Sequence, residues 1–201
     1  MKPQELIGAV QERLHVSVDG KAGPETWGAI FSRITEQPAA KTAELIGEVD
    51  PRSERIIATL LPEVRPHARS LVHKAASIGI TIKIISGTRT YAEQDALYAK
   101  GRTVPPGPIV TNARGGYSNH NFGIAFDIGV FEGSKYLTES PKYAAVGALG
   151  MDMGLDWGGN WKSLVDMPHF QLRPTWATGL NDRTMLAELR SRVKSGRSLY
   201  A

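Results

Sequence analysis

The chain of 201 residues contains no cysteine and no long apolar run, and neither sign of charge strongly dominates. Without thiols it cannot form disulfides, zinc ribbons, iron–sulfur clusters or a cysteine nucleophile, so any metal must be held by histidine and carboxylate. The apolar stretch at 78–85 is interrupted by Thr and Lys and is far too short to span a bilayer. The N-terminal residues lack the apolar segment of a secretory signal, so we expect synthesis in the cytoplasm.

The net charge of +4 is distributed unevenly along the chain. Residues 1–50 carry five basic and eight acidic side chains, whereas residues 51–201 carry nineteen and twelve. A basic surface attracts polyanions in general, including anionic cell wall. Because no basic run is interleaved with aromatic residues, we expect no nucleic-acid partner. A hydrophobic fraction of 41% and a charged fraction of 22% are ordinary for a globular protein.

The N-terminal segment predicts two short helices around a turn. Apolar residues four apart indicate a helix over 5–14, Asp-Gly and Gly-Pro break the chain near 19–24, and a second helix follows to about residue 34. The pattern resembles the peptidoglycan-binding module of cell-wall enzymes. The residues that carry this resemblance are Val10-Gln11, Leu14, Asp19-Gly20, Gly23 and Thr26-Trp27. It implies a helical wall-binding module at 1–36 and a linker at 37–50; the alternative is a helical hairpin that packs on the main domain.

The remainder, 51–201, predicts one domain of mixed helices and strands. Apolar residues recur with a helical period from Ser53, the predicted N-cap, to about residue 76. We expect Pro62 and Pro66 to kink or divide this helix. Further segments follow the patterns of hydrophobicity and turn residues. They are strands at 80–85, 123–131 and 169–172, helices at 91–100, 140–150 and from Asn181, a loop at 101–117 and an aromatic loop at 155–161.

One carboxylate, Asp127, interrupts an otherwise apolar strand. Burial of an unpaired charge costs several kcal/mol, roughly, so such a group is usually paired or bound to a metal. His120 lies seven residues upstream, and His169 opens another apolar strand. Two imidazoles and one carboxylate form a common catalytic zinc set with an open fourth position. Taken singly, each of these residues is more typical of a structural role.

Three local sequences resemble those of the M15 zinc peptidases, which include D-Ala-D-Ala carboxypeptidases and L-alanyl-D-glutamate endopeptidases of phage endolysins and bacteria. They are Ser86-Gly87-Thr88-Arg89-Thr90 with Gln94, Ser118-Asn119-His120 with Gly123, Ala125 and Asp127, and Asp166-Met167-Pro168-His169-Phe170. The resemblance implies an α+β fold, in which a small antiparallel sheet carries a zinc site flanked by helices and follows the small helical module. It also implies that His120, Asp127 and His169 bind Zn²⁺.

The same resemblance assigns Asp166 to the position of the catalytic carboxylate and Arg89 to the conserved arginine of the family motif. Positions 166 and 169 would face opposite ways in a continuous strand, so we expect the chain to turn between them. Arg89 follows a strand, where a fixed cation can face a developing oxyanion or a substrate carboxylate, or it pairs structurally with a carboxylate such as Asp95. Other carboxylates compete with Asp166 as the base. They are Glu132, Asp152 and Asp156.

Three further residues are candidate substrate contacts: Ser118, Gln94 and Trp157. Ser118 either hydrogen-bonds substrate or shapes its loop, and Gln94 belongs to the arginine motif. Trp157, with Trp161, either walls the cleft or packs in the core. We expect substrate specificity to depend on the loops at 101–117 and 132–160.

The sequence thus predicts a zinc metallopeptidase that hydrolyses peptidoglycan stem peptides, with L-Ala–D-Glu cleavage favoured. The alternatives are D-alanyl-D-alanine carboxypeptidase or dipeptidase activity at the same site, and a non-catalytic binding protein with the same zinc fold. The expected partners are peptidoglycan and muropeptides, with no nucleic acid and no membrane insertion, and we expect a monomer. The protein would act on the wall after release from the cytoplasm, or on imported wall fragments.

Overall fold

The structure is a computed structural model that describes residues 3–23, 26, 29, 47–104, 107–162 and 164–200. The chain divides into two compact units, Met1–Ile46 and Gly47–Ala201.

The first unit contains α1 (Pro3–Leu14), which agrees with the helix predicted at 5–14. Gln11 on this helix is 1% exposed. Its Nε2 donates to Asp19 Oδ1 at 2.7 Å and to Thr26 Oγ1 at 2.9 Å, and its Oε1 accepts from the Gly20 N–H at 2.9 Å. The motif residues therefore hold the turn to the helix. Most of the predicted second helix and of the linker lies outside the described residues.

The second unit is an α+β fold, as predicted. Its described helices are α2 (Pro51–Ile57), α3 (Arg65–Ser77), α4 (Tyr91–Ala99), α5 (Lys142–Asp152) and α6 (Asp182–Ser195). Its described strands are β1 (Thr81–Ser86), β2 (Ala125–Glu132), β3 (Lys135–Leu137), β4 (Asp156–Trp157) and β5 (His169–Gln171). The strands form an antiparallel sheet in the order β1-β2-β5-β4, with β3 also paired to β2.

The helical segment predicted from Ser53 is divided into α2 and α3, which is one of the two outcomes predicted for its prolines, but Ser53 is not its cap. Asp50 caps α2 by accepting from the backbone N–H groups of Arg52 and Ser53, and Pro51 occupies the first turn, where a missing N–H costs nothing. Ser53 is instead fully buried, and its Oγ accepts from the Ile84 N–H at 2.9 Å. This bond joins α2 to β1.

One face of the sheet packs against α2, α3 and α5 to form the main core. Phe126 and Ile128 of β2 and Phe170 of β5 are fully buried in this core. A smaller core lies beneath α6 and includes Phe122 and Met185. Because side chains alternate along a strand, Asp127 faces away from the main core. The opposite face of the sheet is therefore free to carry polar groups.

Register decides which polar groups meet on that face. Asp127 on β2 lies directly opposite His169 on β5. Gln171, two residues further along β5, lies opposite Ala125 on one side and Asp156 of β4 on the other. Residues directly opposite each other have neighbouring side chains on the same face. The short strands β3 and β4 were not predicted, because neither segment contains an apolar pattern long enough to indicate a strand.

Candidate metal centre

Three side chains converge on the polar face of the sheet. The distance from His120 Nε2 to Asp127 Oδ1 is 3.2 Å, from His120 Nε2 to His169 Nδ1 is 3.2 Å, and from His169 Nδ1 to Asp127 Oδ1 is 3.3 Å. A tetrahedral Zn²⁺ site with bonds of about 2.0–2.1 Å places neighbouring ligand atoms about 3.3 Å apart. The triangle therefore has the dimensions of three zinc ligands with a fourth corner open.

The hydrogen bonds of the two imidazoles support the same conclusion. His120 Nδ1 lies 2.8 Å from the Gly87 carbonyl oxygen, and His169 Nε2 lies 3.0 Å from Gln171 Oε1. Each of these nitrogens must donate its proton to a carbonyl oxygen, so the neutral rings direct their lone pairs toward Asp127. Two lone pairs and a carboxylate facing one another repel unless a cation lies between them. The donor set thus fits a metal of the borderline class, such as zinc.

The electrostatic environment keeps Asp127 ionised. Burial raises the pKa of this carboxyl, but positive charge and hydrogen bonds from His120 and His169, when these rings are protonated, outweigh burial and hold the pKa well below its ordinary value. The side chain of Asp127 retains 20% exposure, whereas His120 and His169 are 3% and 6% exposed. A charged oxygen thus reaches the surface between two buried rings.

Local sequence explains how His120 reaches the sheet. It lies in a single 3₁₀ turn, Asn119–Phe122, which ends at Gly123 with a φ of +69°, a conformation that glycine adopts without strain. Its carbonyl partner, Gly87, packs closely against the end of α2: a Cβ at this position would lie 2.9 Å from Ile56 Cγ2. The glycine of the Ser86-Gly87 motif therefore allows the close approach that places an acceptor behind His120.

The three residues line a cavity of about 620 Å³. Arg89, Ser118 and Asp166 line the same cavity. The chain turns at Met167 and Pro168, as predicted, and the Asp166 carbonyl accepts from the His169 N–H at 3.2 Å. The turn brings positions 166 and 169 to one side despite their odd spacing.

Asp166 has the electrostatic character of a base. Burial and the negative charge of Asp127 raise its pKa, and the nearby His169, His120 and Arg89 offset this only in part. A carboxylate with a raised pKa is a stronger proton acceptor than an ordinary aspartate. Its backbone N–H donates to the Gly158 carbonyl at 3.0 Å, which fixes the segment.

Arg89 supplies the positive charge of the cavity. Its Nη2 lies 3.7 Å from Asp127 Oδ2. Its buried Nε has no hydrogen-bond partner among the described residues. Burial lowers the pKa of this guanidinium, while Asp127 and Asp166 raise it. The predicted alternative pairing with Asp95 is absent from the described contacts, where Asp95 Oδ1 accepts from the Gly115 N–H at 2.8 Å.

Comparisons with known proteins identify the family. A family model described as D-alanyl-D-alanine carboxypeptidase, of the M15 peptidases, matches residues 111–172. The peptidoglycan L-alanyl-D-glutamate endopeptidase CwlK of Bacillus subtilis (strain 168) is 37% identical over 125 residues, which cover 57% of this chain and 74% of CwlK. The chain belongs to the M15 zinc peptidases.

Two solved structures are also similar to this M15 chain. The Serratia marcescens L-Ala D-Glu endopeptidase ChiX has 23% identity and a TM-score of 0.48, with 64% of this chain and 92% of ChiX covered. A mutant of the D,D-pentapeptidase VanY from a VanB-type vancomycin resistance cassette, in complex with Zn(II), has 16% identity and a TM-score of 0.46, with 64% of this chain and 78% of VanY covered. In the described part of this chain, no helix is long and apolar enough to cross a membrane.

Of the four carboxylates considered as the base of this M15 peptidase, the structure brings only Asp166 to the described cavity lining. Glu132 Oε1 accepts from Lys142 Nζ at 2.6 Å, and Asp152 lies 3.7 Å from Lys74 Nζ. Asp156 contacts Gln171 and Arg173. Their positions support Asp166 as the base.

The three residues predicted to contact substrate differ in whether they line the cavity. Ser118 lines the cavity, but Gln94 and Trp157 do not. Trp157 lies on the core face of the sheet, stacked on Phe170, and its Nε1 donates to the Met167 carbonyl at 2.9 Å. The alternation of Asp156 and Trp157 on β4 turns the carboxylate toward the polar face and the indole toward the core. Trp161 is the tryptophan that lines the cavity.

Gln94 does not line the cavity but contacts a residue that does. It is fully buried, and its Nε2 donates to the Ala113 carbonyl at 2.9 Å. Residues 110–113 form one wall of the cavity, and sequence analysis did not single them out within the loop. The part of the second predicted specificity loop, 132–160, that the structure describes contributes no lining residue. Asp182 and Leu186 of α6 do contribute, which no local signal indicated.

Proposed function

We propose that this M15 peptidase hydrolyses the L-alanyl–D-glutamate bond of peptidoglycan stem peptides. The observation that carries the peptidase chemistry is the triangle of His120, Asp127 and His169, which opens into a cavity shared with Asp166 and Arg89. The choice of bond is supported by the 37% identity with an L-alanyl-D-glutamate endopeptidase over most of that protein's length.

His120 Nε2, His169 Nδ1 and Asp127 Oδ1 would hold the zinc ion. Zinc, when bound, supplies a Lewis acid that polarises a carbonyl and makes water more acidic. Asp166 accepts the proton of the attacking water and returns it to the leaving amine. The Arg89 guanidinium, which has an unpaired buried N–H among the described contacts, stabilises the negative charge that develops on the scissile carbonyl oxygen.

A second candidate activity is cleavage of the D-alanyl–D-alanine bond at the same site. The observation that favours it is the family model, whose description is D-alanyl-D-alanine carboxypeptidase and which spans Asp127, Asp166 and His169. Both reactions use the same metal, base and cation. They differ only in which peptide the cavity wall admits.

Digestion of purified muropeptides by the zinc-loaded protein, followed by mass spectrometry, tests the proposal. We expect products in which the bond after L-Ala is cut, leaving the rest of the stem peptide intact. Release of D-Ala would instead support the carboxypeptidase. An absence of any product with zinc present would contradict both and favour a non-catalytic binding protein.

We also propose that residues 1–36 bind wall polymer, joined through 37–50 to a peptidase domain at 51–201. The support is the Gln11 network, which builds the turn that the motif resemblance implies. We further propose that the protein acts on the cell wall or on its fragments, and that it does so as a monomer.

A further inference from the structure

We propose that Gln171 and Asp156 are positioning residues for the metal centre: Gln171 fixes the ring orientation and tautomer of His169, and Asp156 acts through Gln171. The inference rests on the proposed zinc peptidase function, but it does not depend on which bond is cut. Neither residue lines the cavity, so neither is placed to contact substrate.

Strand register brings the three side chains together. His169 and Gln171 lie two apart on β5 and therefore face the same side of the sheet. Asp156 of β4 lies directly opposite Gln171. The resulting contacts are His169 Nε2 to Gln171 Oε1 at 3.0 Å and Gln171 Nε2 to Asp156 Oδ2 at 3.3 Å. A continuous chain of hydrogen bonds thus runs from a surface carboxylate to a metal ligand.

The direction of every bond in this chain is set by Asp156. An ionised carboxylate can only accept, so the amide of Gln171 must turn its Nε2 toward Asp156. Its Oε1 then faces His169, where it also accepts from Asn119 Nδ2. Gln171 is 1% exposed. Rotation of the amide would place its N–H groups against Asn119 Nδ2 and remove the acceptor from His169.

The orientation of the Gln171 amide determines the tautomer of His169 at the metal centre. With an acceptor at Nε2, the neutral His169 ring carries its proton there and leaves the Nδ1 lone pair toward Asp127 and His120. The other tautomer would direct an N–H into the position of the cation. Partners of this kind behind a ligand typically contribute 10- to 100-fold, roughly, to metal affinity or activity.

Arg173 holds Asp156 in place. Its Nε donates to Asp156 Oδ2 at 3.2 Å, and its Nη2 also bonds Asp182 Oδ1. The carboxylate of Asp156 is therefore anchored from one side and accepts from Gln171 on the other. Its side chain is 44% exposed, so a substitution there disturbs the core little.

The test compares zinc affinity in the full-length chain and in four variants. Gln171→Met keeps the volume but removes both polar atoms, Asp156→Asn keeps the shape but removes the charge, and the third variant combines the two. Glu132→Gln is the matched control, because Glu132 is a carboxylate in another strand-end ion pair, with Lys142, away from the cavity. Competition with a chromophoric chelator measures the zinc dissociation constant. The visible absorption of the Co²⁺-substituted protein reports the ligand geometry.

We expect Gln171→Met to weaken zinc binding about 10- to 100-fold and to alter the Co²⁺ spectrum. Asp156→Asn should weaken zinc binding less, by about 3- to 10-fold, because His169 and Asn119 still contact Gln171. In the Gln171→Met background, Asp156→Asn should cause no further loss, since its route to the metal is already broken. The control should bind zinc as tightly as the unaltered chain.

Equal zinc affinity in Gln171→Met and the unaltered chain would overturn the proposal. Additive losses in the double variant would overturn the role of Asp156 through Gln171. Thermal unfolding of the metal-free protein shows whether Gln171→Met folds. If it does not fold, Asp156→Asn alone tests the proposal, and an unchanged zinc affinity of Asp156→Asn would overturn the role of the hydrogen bonds from Asp156 to His169. Failure of the unaltered protein to bind zinc would overturn the proposed function itself, which is a separate outcome.

Discussion

The two walls of the cavity are built in different ways. On the sheet side, Asp127 and His169 occupy paired strands, and the backbone hydrogen bonds of the ladder set their separation. On the loop side, residues 110–113 have no strand partner, and side chains hold them. Gln94 Nε2 donates to the Ala113 carbonyl at 2.9 Å, and Arg102 Nη1 donates to the Thr111 carbonyl at 2.9 Å.

This difference suits the sheet wall to metal chemistry and the loop wall to substrate recognition. A strand ladder fixes ligand atoms to within tenths of an ångström, as a metal with defined bond lengths requires. A loop held by two side chains changes shape when either is replaced, while the sheet keeps its register. We therefore expect changes on the sheet side to abolish turnover and changes on the loop side to alter substrate binding.

Removal of the metal should have the largest effect. Exhaustive chelation should abolish hydrolysis of muropeptides, because it removes the Lewis acid between His120, Asp127 and His169. Added Zn²⁺ should restore activity, and added Mg²⁺ should not, because two imidazoles are poor ligands for a hard cation. Turnover that survives complete chelation, checked by metal analysis, would contradict the assignment.

The second-largest effect is expected for Asp166→Asn, which should lower kcat by about 10²- to 10⁴-fold. KM and bound zinc should be nearly unchanged, since Asp166 is not part of the triangle. In the unaltered enzyme, the base works ionised, so kcat/KM should fall as pH drops through the pKa of Asp166, which burial raises. A variant that retains normal kcat would show that another group is the base.

Smaller effects are expected on the loop side. Gln94→Leu should raise KM by about 3- to 30-fold with kcat nearly unchanged, because the lost bonds release residues 111–113, and a hydrogen bond contributes about 0.5–1.5 kcal/mol. Arg102→Ala should raise KM less, since Arg102 is exposed. Arg55→Ala, an exposed arginine on α2, is the control. A fall in kcat or in zinc content with Gln94→Leu would contradict the separation of the two walls.

Deletion of residues 1–46 should have the smallest effect on the chemistry. Cleavage of small soluble muropeptides should be unchanged, because every described residue of the cavity lies in the second unit. Adsorption to purified sacculi should weaken if residues 1–36 bind wall polymer. Sedimentation with sacculi measures this, and unchanged adsorption would remove the proposed wall-binding role.

The sequence predicted the parts of the fold that depend on neighbouring residues. The strand containing Asp127 and the turn at Met167 and Pro168 follow from local patterns, and both are present. The helix cap assigned to Ser53 was wrong, although Asp50 followed by Pro51 carries the usual signal of a helix start. Strand β4 could not be predicted, because its two residues are ordered by their pairing with β5.

For the candidate site, the sequence predicted which residues could serve but not all of their partners. The prediction that Trp157 contacts substrate is not supported by its place on the core face, where its pairing position opposite Phe170 puts it. Gln94, which was predicted to contact substrate, instead donates a hydrogen bond to Ala113 in the cavity wall. The position of Trp157 depends on the register of β4 with β5, and the contact of Gln94 depends on a loop that comes later in the chain.

The sequence alone determined the chemistry available to this protein. The absence of cysteine and the presence of two histidines near buried apolar segments leave nitrogen and oxygen ligands for a borderline metal, since ligand type is a property of the side chain itself. Only the tertiary structure decided which of the candidate carboxylates, Asp166, lines the cavity and which, Asp156, contacts Gln171. The position of Asp166 depends on the turn at Met167 and Pro168, and the position of Asp156 depends on the sheet face that the pairing of β4 with β5 gives it.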